Sequence, residues 1–348
     1  MHPLVITCLL SALGLGTVLT FSSSHWLLAW MGLEVNTLAI LPLMAQKHHP
    51  RAVEATTKYF LIQSTAAAMI MFASLTNAWV TGEWMIFQLS HPIPVTITML
   101  ALALKVGLAP AHFWLPEVLQ GLDLTTGLIL STWQKLAPFA LIVQVAPSVN
   151  SHLLIALGLT STFIGGWGGL NQTQLRKILA YSSIAHLGWM ILIVQFAPSI
   201  ALLNLFLYIA MTSTAFLALK AYDCLNLNDL STSWAKSPAL AALLTPVLLS
   251  LGGLPPLSGF MPKWLVINEM VKQGLQLPAT IAALSALLSL YYYLRVCYAV
   301  ALTSPPNILI KTTPWRLAPS QKHLFLALPA VVALGILPIT PAILAWFT

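Results

Sequence analysis

Charge is what this sequence has least of. Charged residues fill 7% of its 348 positions, with 8 acidic and 15 basic side chains, against about 25% in a soluble domain. That scarcity excludes an ordinary water-soluble fold. The net charge of +7 does not make a nucleic-acid surface either. The basic residues are scattered through short polar stretches, with no run beyond Arg176-Lys177 and no aromatic interleaving. Cysteine is nearly absent. Cys8, Cys224 and Cys297 form no CxxC and lie in or beside apolar segments, which speaks against a disulfide framework, a zinc site or an iron–sulfur site. Neither GxGxxG nor GxxxxGK[ST] occurs, so the chain is not expected to hold a dinucleotide or a nucleoside triphosphate itself. No cleavable signal peptide is legible. The first apolar stretch begins at Pro3 without a basic segment before it and reads as a span.

What the sequence has is hydrocarbon. It is 58% hydrophobic, with a mean hydropathy of +0.87, and is long enough for ten or more spans of about 20 residues. Apolar segments bounded by polar or Pro/Gly punctuation predict eleven spans, at about 3–21, 25–45, 56–78, 95–119, 125–145, 151–170, 175–195, 199–221, 238–271, 276–301 and 323–346. They are too long and continuous for barrel strands, so the expectation is an all-α polytopic membrane protein. With that count, Lys47, Arg51, Lys58, Arg176, Lys177, Lys220, Lys236, Lys311, Arg316 and Lys322 fall on the side of the N-terminus and only Lys272 on the other. This asymmetry predicts that the N-terminus lies in the compartment of synthesis and the C-terminus opposite.

Two predicted spans are interrupted. One contains Lys105, Gly107, Pro110, His112, Pro116 and Glu117; the other contains Gly252, Gly253, Pro255, Pro256, Gly259, Pro262 and Lys263. Placing Gly107 on Gly253 also aligns Leu108 with Leu254, Pro110 with Pro256 and Pro116 with Pro262, a weak repeat at an offset of 146. The second copy lies five spans after the first, an odd number, so it is expected to cross upside down. Inverted repeats with Gly/Pro-interrupted helices point to a transport site near the membrane midplane. Proline breaks the helical ladder and frees carbonyls there.

Four ionisable side chains are embedded in the spans: Glu34, Lys105, Lys135 and Lys263. Each would cost roughly 2.5–3.5 kcal/mol at a bilayer centre, so they are expected to pair or to face a wet interior. A buried lysine is biased towards its neutral form, and a neighbouring carboxylate restores its proton. A proton relay needs that behaviour. Glu34 is the carboxylate best placed to pair with a lysine. Snorkelling from a span end explains Lys58, Lys220 and Arg295, but not Lys135, which is deep in its span. Glu117 and Glu269, near span ends, suit surface ion pairs.

His112 lies in the first interruption. His186 shares a helix face with Ser182, four residues earlier, which suits a proton wire. A purely structural role stands beside that reading for both histidines. The stripes Asn204/Tyr208/Thr212 and Ser285/Ser289 read more simply as helix glue. Gly165, Gly166, Gly168 and Gly169 read as close helix packing.

The run Arg176-Lys-Ile-Leu-Ala-Tyr-Ser-Ser-Ile-Ala-His186-Leu-Gly188, the two broken-helix motifs and Glu34 ahead of Lys105 together resemble the antiporter-type, proton-translocating subunits of respiratory complex I and of multisubunit cation/proton antiporters. The length and the opening segment through Gly32-Leu-Glu34-Val-Asn36 resemble a shortened animal mitochondrial form that lacks the first three helices of the fourteen-helix family fold. The resemblance covers nearly the whole chain.

It implies two inverted five-helix repeats, 1–147 and 148–301, each with a broken helix, followed by a loop on the matrix side and a C-terminal helix over 302–348. It implies that Glu34 and Lys105 are the glutamate–lysine pair, Lys135 the central relay lysine, and Lys263 the terminal ionisable residue. His112 and His186 become supporting polar positions on a hydrated axis, and Pro110, Pro255 and Pro256 the helix breaks. The implied activity is proton translocation across the inner mitochondrial membrane, driven by electron transfer from NADH to ubiquinone elsewhere in the complex. FMN, iron–sulfur clusters, NADH and ubiquinone would belong to the assembly, with no cofactor or metal in this chain. The implied partners are other membrane-arm subunits, including neighbouring antiporter-like ones, and lipid, with one flank left for them to cover. The absence of a presequence fits synthesis inside the mitochondrion. Two other classes compete: a free-standing cation/proton exchanger, and a non-conducting scaffold whose charges only hold helices together.

Overall fold

The computed structural model describes residues 2–46, 48–231, 238–301 and 324–347. Lys47, Lys236, Lys311, Arg316 and Lys322, part of the predicted charge asymmetry, lie outside the described residues, as does most of the expected matrix-side loop. The chain forms two compact units, residues 1–157 and 158–348.

The first unit holds α1 (Pro3–Ser22), α2 (Trp26–Met44), α3 (Pro50–Thr81), α4 (Pro92–Val106), α5 (Trp114–Gly121), α6 (Leu124–Ser131), α7 (Trp133–Val145) and the start of α8 (Ser151–Gly168). Histidine opens three of these helices. The Nδ1 atoms of His2, His25 and His49 accept the N–H groups of Leu4, Leu27 and Arg51 at 3.3, 3.2 and 3.3 Å, each satisfying a donor that the first turn leaves orphaned. Pro3 and Pro50 follow at the first helical position, where no N–H is needed. α1 and α2 approach closely because a Cβ on Gly32 would lie 2.9 Å from the Gly16 carbonyl. The outer face of α1 is apolar and open, with Leu4 67% and Leu15 62% exposed, the pattern of a surface that meets hydrocarbon rather than water.

The second unit holds the rest of α8, then α9 (Leu175–Ile193), α10 (Pro198–Tyr222), α11 (Leu227–Ser231), α12 (Pro238–Gly252), α13 (Phe260–Lys272), α14 (Gln276–Ala301), α15 (Leu324–Gly335) and α16 (Thr340–Phe347). α9 is buried along almost its whole length. α8 packs through its glycines. A Cβ on Gly165 would sit 2.6 Å from the Ala185 nitrogen of α9, and one on Gly166 2.9 Å from Leu288 of α14. The glycine run is therefore close packing.

Among the described residues six segments are long and apolar enough to cross a bilayer unaided: α1, α2, α3, the α6–α7 segment, α10 and α14. The predicted spans 95–119, 238–271 and 323–346 each consist of two helices. The first two are the predicted interruptions, and the helices leading into them end in the same way. Gly107 ends α4 at φ 88° and Gly253 ends α12 at φ 84°, a left-handed conformation that glycine adopts without a Cβ penalty. The N–H groups of Gly107 and Leu108 converge on the Ala103 carbonyl at 2.9 and 2.9 Å, and those of Gly253 and Leu254 on the Leu249 carbonyl at 3.1 and 3.3 Å. Helix ends of this kind satisfy carbonyls that have no successor turn.

Besides the division within 323–346, a further interruption carries no Gly/Pro signal in the sequence. Span 125–145 is divided at Thr132. The Leu128 carbonyl receives the Thr132 N–H at 3.0 Å and the hydroxyls of Ser131 and Thr132 at 3.0 and 2.7 Å. Hydroxyls that bond back onto the helix compete with its ladder and bend it.

Candidate functional site

Lys105 occupies the last turn of α4, and the carbonyls of that turn are stitched in place. The Ala103 carbonyl takes two N–H groups. The Leu104 carbonyl accepts the Trp114 indole N–H at 3.1 Å. The Lys105 carbonyl accepts the Gln63 amide from α3 at 3.2 Å. Lys135 sits in the first turn of α7, just past the Thr132 interruption. Both lysines are buried, at 6% and 2% exposure.

The two lysines line one cavity of ≈ 20 Å³, together with Asn36, Thr37, Tyr59, Gln63 and Gln134. That is room for about one water molecule, and the walls offer the polar partners it needs. Gln134 also donates to the Asn36 carbonyl at 3.2 Å, tying α7 to α2. The Lys105 Nζ makes no hydrogen bond among the described residues.

Glu34 lies on α2, partly buried, within electrostatic reach of Lys105 and Tyr59. Its Oε2 accepts the Thr37 hydroxyl at 3.2 Å. No N–O contact within 4.0 Å joins Glu34 to Lys105 among the described residues. His112 is buried in the break between α4 and α5, its Nδ1 3.2 Å from the Pro110 carbonyl. It is not among the cavity-lining residues.

In the second unit Lys263, 7% exposed, extends from the first turn of α13 into the break. Its Nζ donates to the Gly252 carbonyl at 2.8 Å, so the ammonium rests on the negative end of α12. Pro110, Pro255 and Pro256 are exposed. His186 is buried with its ring 5.6 Å from that of Tyr208. Ser182, one turn earlier, donates to the Leu179 carbonyl at 2.8 Å. Thr212, Ser285 and Ser289 also bond back to their own helices, in keeping with helix packing.

The peripheral charges sort as follows. Exposed Lys58 bridges Glu54 and Glu117 at 2.8 and 2.8 Å, and Lys272 pairs with Glu269 at 3.1 Å. Arg295 departs from the snorkelling expectation. Its guanidinium donates to the Leu170 carbonyl at 2.7 Å just beyond α8, an acceptor left over by a helix end. Among the described residues no group of His, Cys, Asp or Glu is arranged to hold a metal ion.

Sequence reasoning missed Gln63, Gln134, Thr37 and Trp114 as parts of the site. The available signal was amides and hydroxyls inside apolar segments, which in lipid must find partners. Gln63→Leu leaves the buried Lys105 carbonyl without its donor, at a cost of about 1–3 kcal/mol. The variant chain is expected to unfold at a lower temperature than the wild type; an unchanged heat series would remove Gln63 from the site.

Residues 23–289 match the family model of the NADH:quinone oxidoreductase/Mrp antiporter membrane domain, and residues 290–344 match that of the NADH dehydrogenase subunit 2 C-terminus. The chain is 71% identical over 348 residues, all of both chains, to NADH-ubiquinone oxidoreductase chain 2 of Salmo salar. The chain belongs to the NADH dehydrogenase subunit 2 family. Across a wider distance it is 60% identical over 348 residues, again all of both chains, to the Scyliorhinus canicula protein of the same name.

Among solved structures, a chain of respiratory complex I from Thermus thermophilus with bound aureothin superposes with a TM-score of 0.87 at 28% identity, covering 99% of this chain and 80% of that one. A chain of the Mrp complex from a Dietzia species shares the fold, with a TM-score of 0.84 at 19% identity, over 97% of this chain and 76% of that one.

Proposed function

We propose that this chain is a membrane-arm subunit of respiratory complex I, NADH:ubiquinone oxidoreductase, and that it carries protons across the inner mitochondrial membrane. The observation that carries the mechanism is the pair of buried lysines sharing one polar cavity in a chain with so few charges. Electron transfer from NADH to ubiquinone supplies the energy, and FMN, iron–sulfur clusters and quinone are held by other subunits. This chain's residues handle only protons.

When the Glu34 carboxylate approaches Lys105, it holds the proton on that amine. When it withdraws, Lys105 gives the proton up across the cavity towards Lys135. A relay of this kind needs groups that gain and lose charge in low dielectric. Lys263 is the last member. Its amine donates to the Gly252 carbonyl at the end of α12. His112 and His186 serve as supporting polar groups at the first break and on α9.

The fold proposed for this work is eleven spans in two inverted repeats, 1–147 and 148–301, followed by the 302–348 segment. The shared hydrogen-bond pattern at Gly107 and Gly253 supports that repeat. The side bearing Arg51, Lys58, Arg176, Lys177 and Lys220 is the matrix side, with the N-terminus there and the C-terminus in the intermembrane space. Lipid or a neighbouring antiporter-like subunit covers the open apolar face of α1.

The test is a native gel of gently solubilised inner membrane, with this chain located by mass spectrometry beside an in-gel NADH oxidation stain. Migration with the large NADH-oxidising band is expected. Recovery only in a small particle without that activity would favour a free-standing exchanger.

A further inference from the structure

The mechanism above gives Glu34 two positions but names a partner in only one of them. The structure supplies the other. Thr37 lies one turn after Glu34 on α2, is 7% exposed and lines the lysine cavity. Its hydroxyl lies 3.2 Å from the Glu34 Oε2 and 2.9 Å from the Glu34 carbonyl. A threonine hydroxyl has one hydrogen to donate, so the carboxylate and the helix carbonyl share it. The resulting hold on the carboxylate is weak, as a reversible seat requires.

Across the site, the Lys105 backbone is held by two side chains. The Gln63 amide fixes its carbonyl, and the Trp114 indole fixes the one before it. Its amine is buried without a hydrogen-bond partner among the described residues. The Glu34 carboxylate is thus the member of the pair that has a hydrogen-bond partner away from the other.

We propose that Thr37 is a positioning residue for proton transfer: its hydroxyl is the seat that holds the Glu34 carboxylate away from Lys105 between transfer steps. The inference rests on the glutamate–lysine reading and specifies what opens the pair. Without the hydroxyl the carboxylate loses the polar partner it has on its own helix, settles on Lys105, and keeps the proton there. Thr37→Val preserves shape and removes only the donor. Thr37→Ser keeps the donor and loses a methyl group.

The experiment measures NADH-driven proton uptake by the whole complex in liposomes, with a ubiquinone analogue as electron acceptor, for Thr37→Val, Thr37→Ser and Glu34→Gln. Valine is expected to slow proton uptake about fivefold, and serine to recover it to within about twofold, as befits loss and return of one weak, shared hydrogen bond. Glu34→Gln is expected to lose translocation. A valine variant at the wild-type rate, beside an inactive Glu34→Gln, overturns the seat and leaves the relay standing. Serine as slow as valine shows that Thr37 acts through packing and also overturns it. Glu34→Gln at the wild-type rate removes the relay and the seat together. Should the valine chain fail to assemble, serine still decides, because less than half of the wild-type rate in an assembled serine complex contradicts the proposal.

Discussion

Replacing Lys135 with methionine is expected to abolish proton translocation by this subunit while the complex still assembles. The argument has two halves. Methionine has nearly the length of lysine and is flexible enough to fill irregular core space. Exchanging a buried charged group for a well-packed apolar one is often neutral for stability. Lys135 is 2% exposed among apolar helices, so the fold should tolerate the change. Function should not. The cavity beside Lys105 then has no second amine to accept a proton, and the loss of a positioned acid–base group typically costs about 10²–10⁴-fold. The measurement is proton uptake per NADH oxidised in proteoliposomes, with a native gel as the assembly control. An intact complex pumping at the wild-type ratio would rule out Lys135 as a relay member.

Gly259→Ala is expected to act in the opposite way, on assembly before function. Gly259 opens the turn into α13, and a Cβ there would overlap the Ser250 carbonyl of α12. That neighbour is backbone at the end of a helix, not the tip of a side chain that can swing aside. Overpacking against a fixed wall costs about 1–3 kcal/mol and occasionally more, and this overlap belongs at the upper end. Lys263 follows within the next turn and its amine reaches back to Gly252, so a displaced α13 also moves the lysine. The expected result is a sharp fall in assembled complex on native gels, with the residual complex pumping poorly. Normal amounts of fully active complex would mean that the second break is looser than its packing suggests.

Much of this architecture was legible in the sequence because lipid leaves a chain few choices. With charge so rare, each polar residue inside a span stands out. The two Gly/Pro interruptions and the lysines beside them could be located from residue type alone, while the helices end at Gly107 and Gly253, ahead of Pro110, Pro255 and Pro256, the residues expected to mark the breaks. The Thr132 interruption was hidden because no glycine or proline marks it. It depends on two adjacent hydroxyls crowding one carbonyl, a local competition that composition does not weigh. Gln63 and Gln134 were hidden for another reason. Their importance lies in which distant carbonyl each amide reaches, and only folding decides that. Arg295 looked like a side chain escaping to water because its carbonyl partner, Leu170, is 125 residues away in the chain.

The glycines of α8 bear on how this chain can change over time. Gly165 faces Ala185, Gly166 faces Leu288, Gly168 faces Tyr181 and Gly169, just past the end of the helix, faces Tyr292, each at a distance that leaves no room for one more carbon. No amino acid is smaller than glycine, so every replacement at these sites adds atoms and none can be offset by choosing a gentler one. Elsewhere in a hydrocarbon-facing protein, leucine, isoleucine, valine and methionine exchange at little cost. Related chains are therefore expected to vary on the faces that meet lipid and to keep glycine where α8 touches its neighbours, which an alignment of relatives would check.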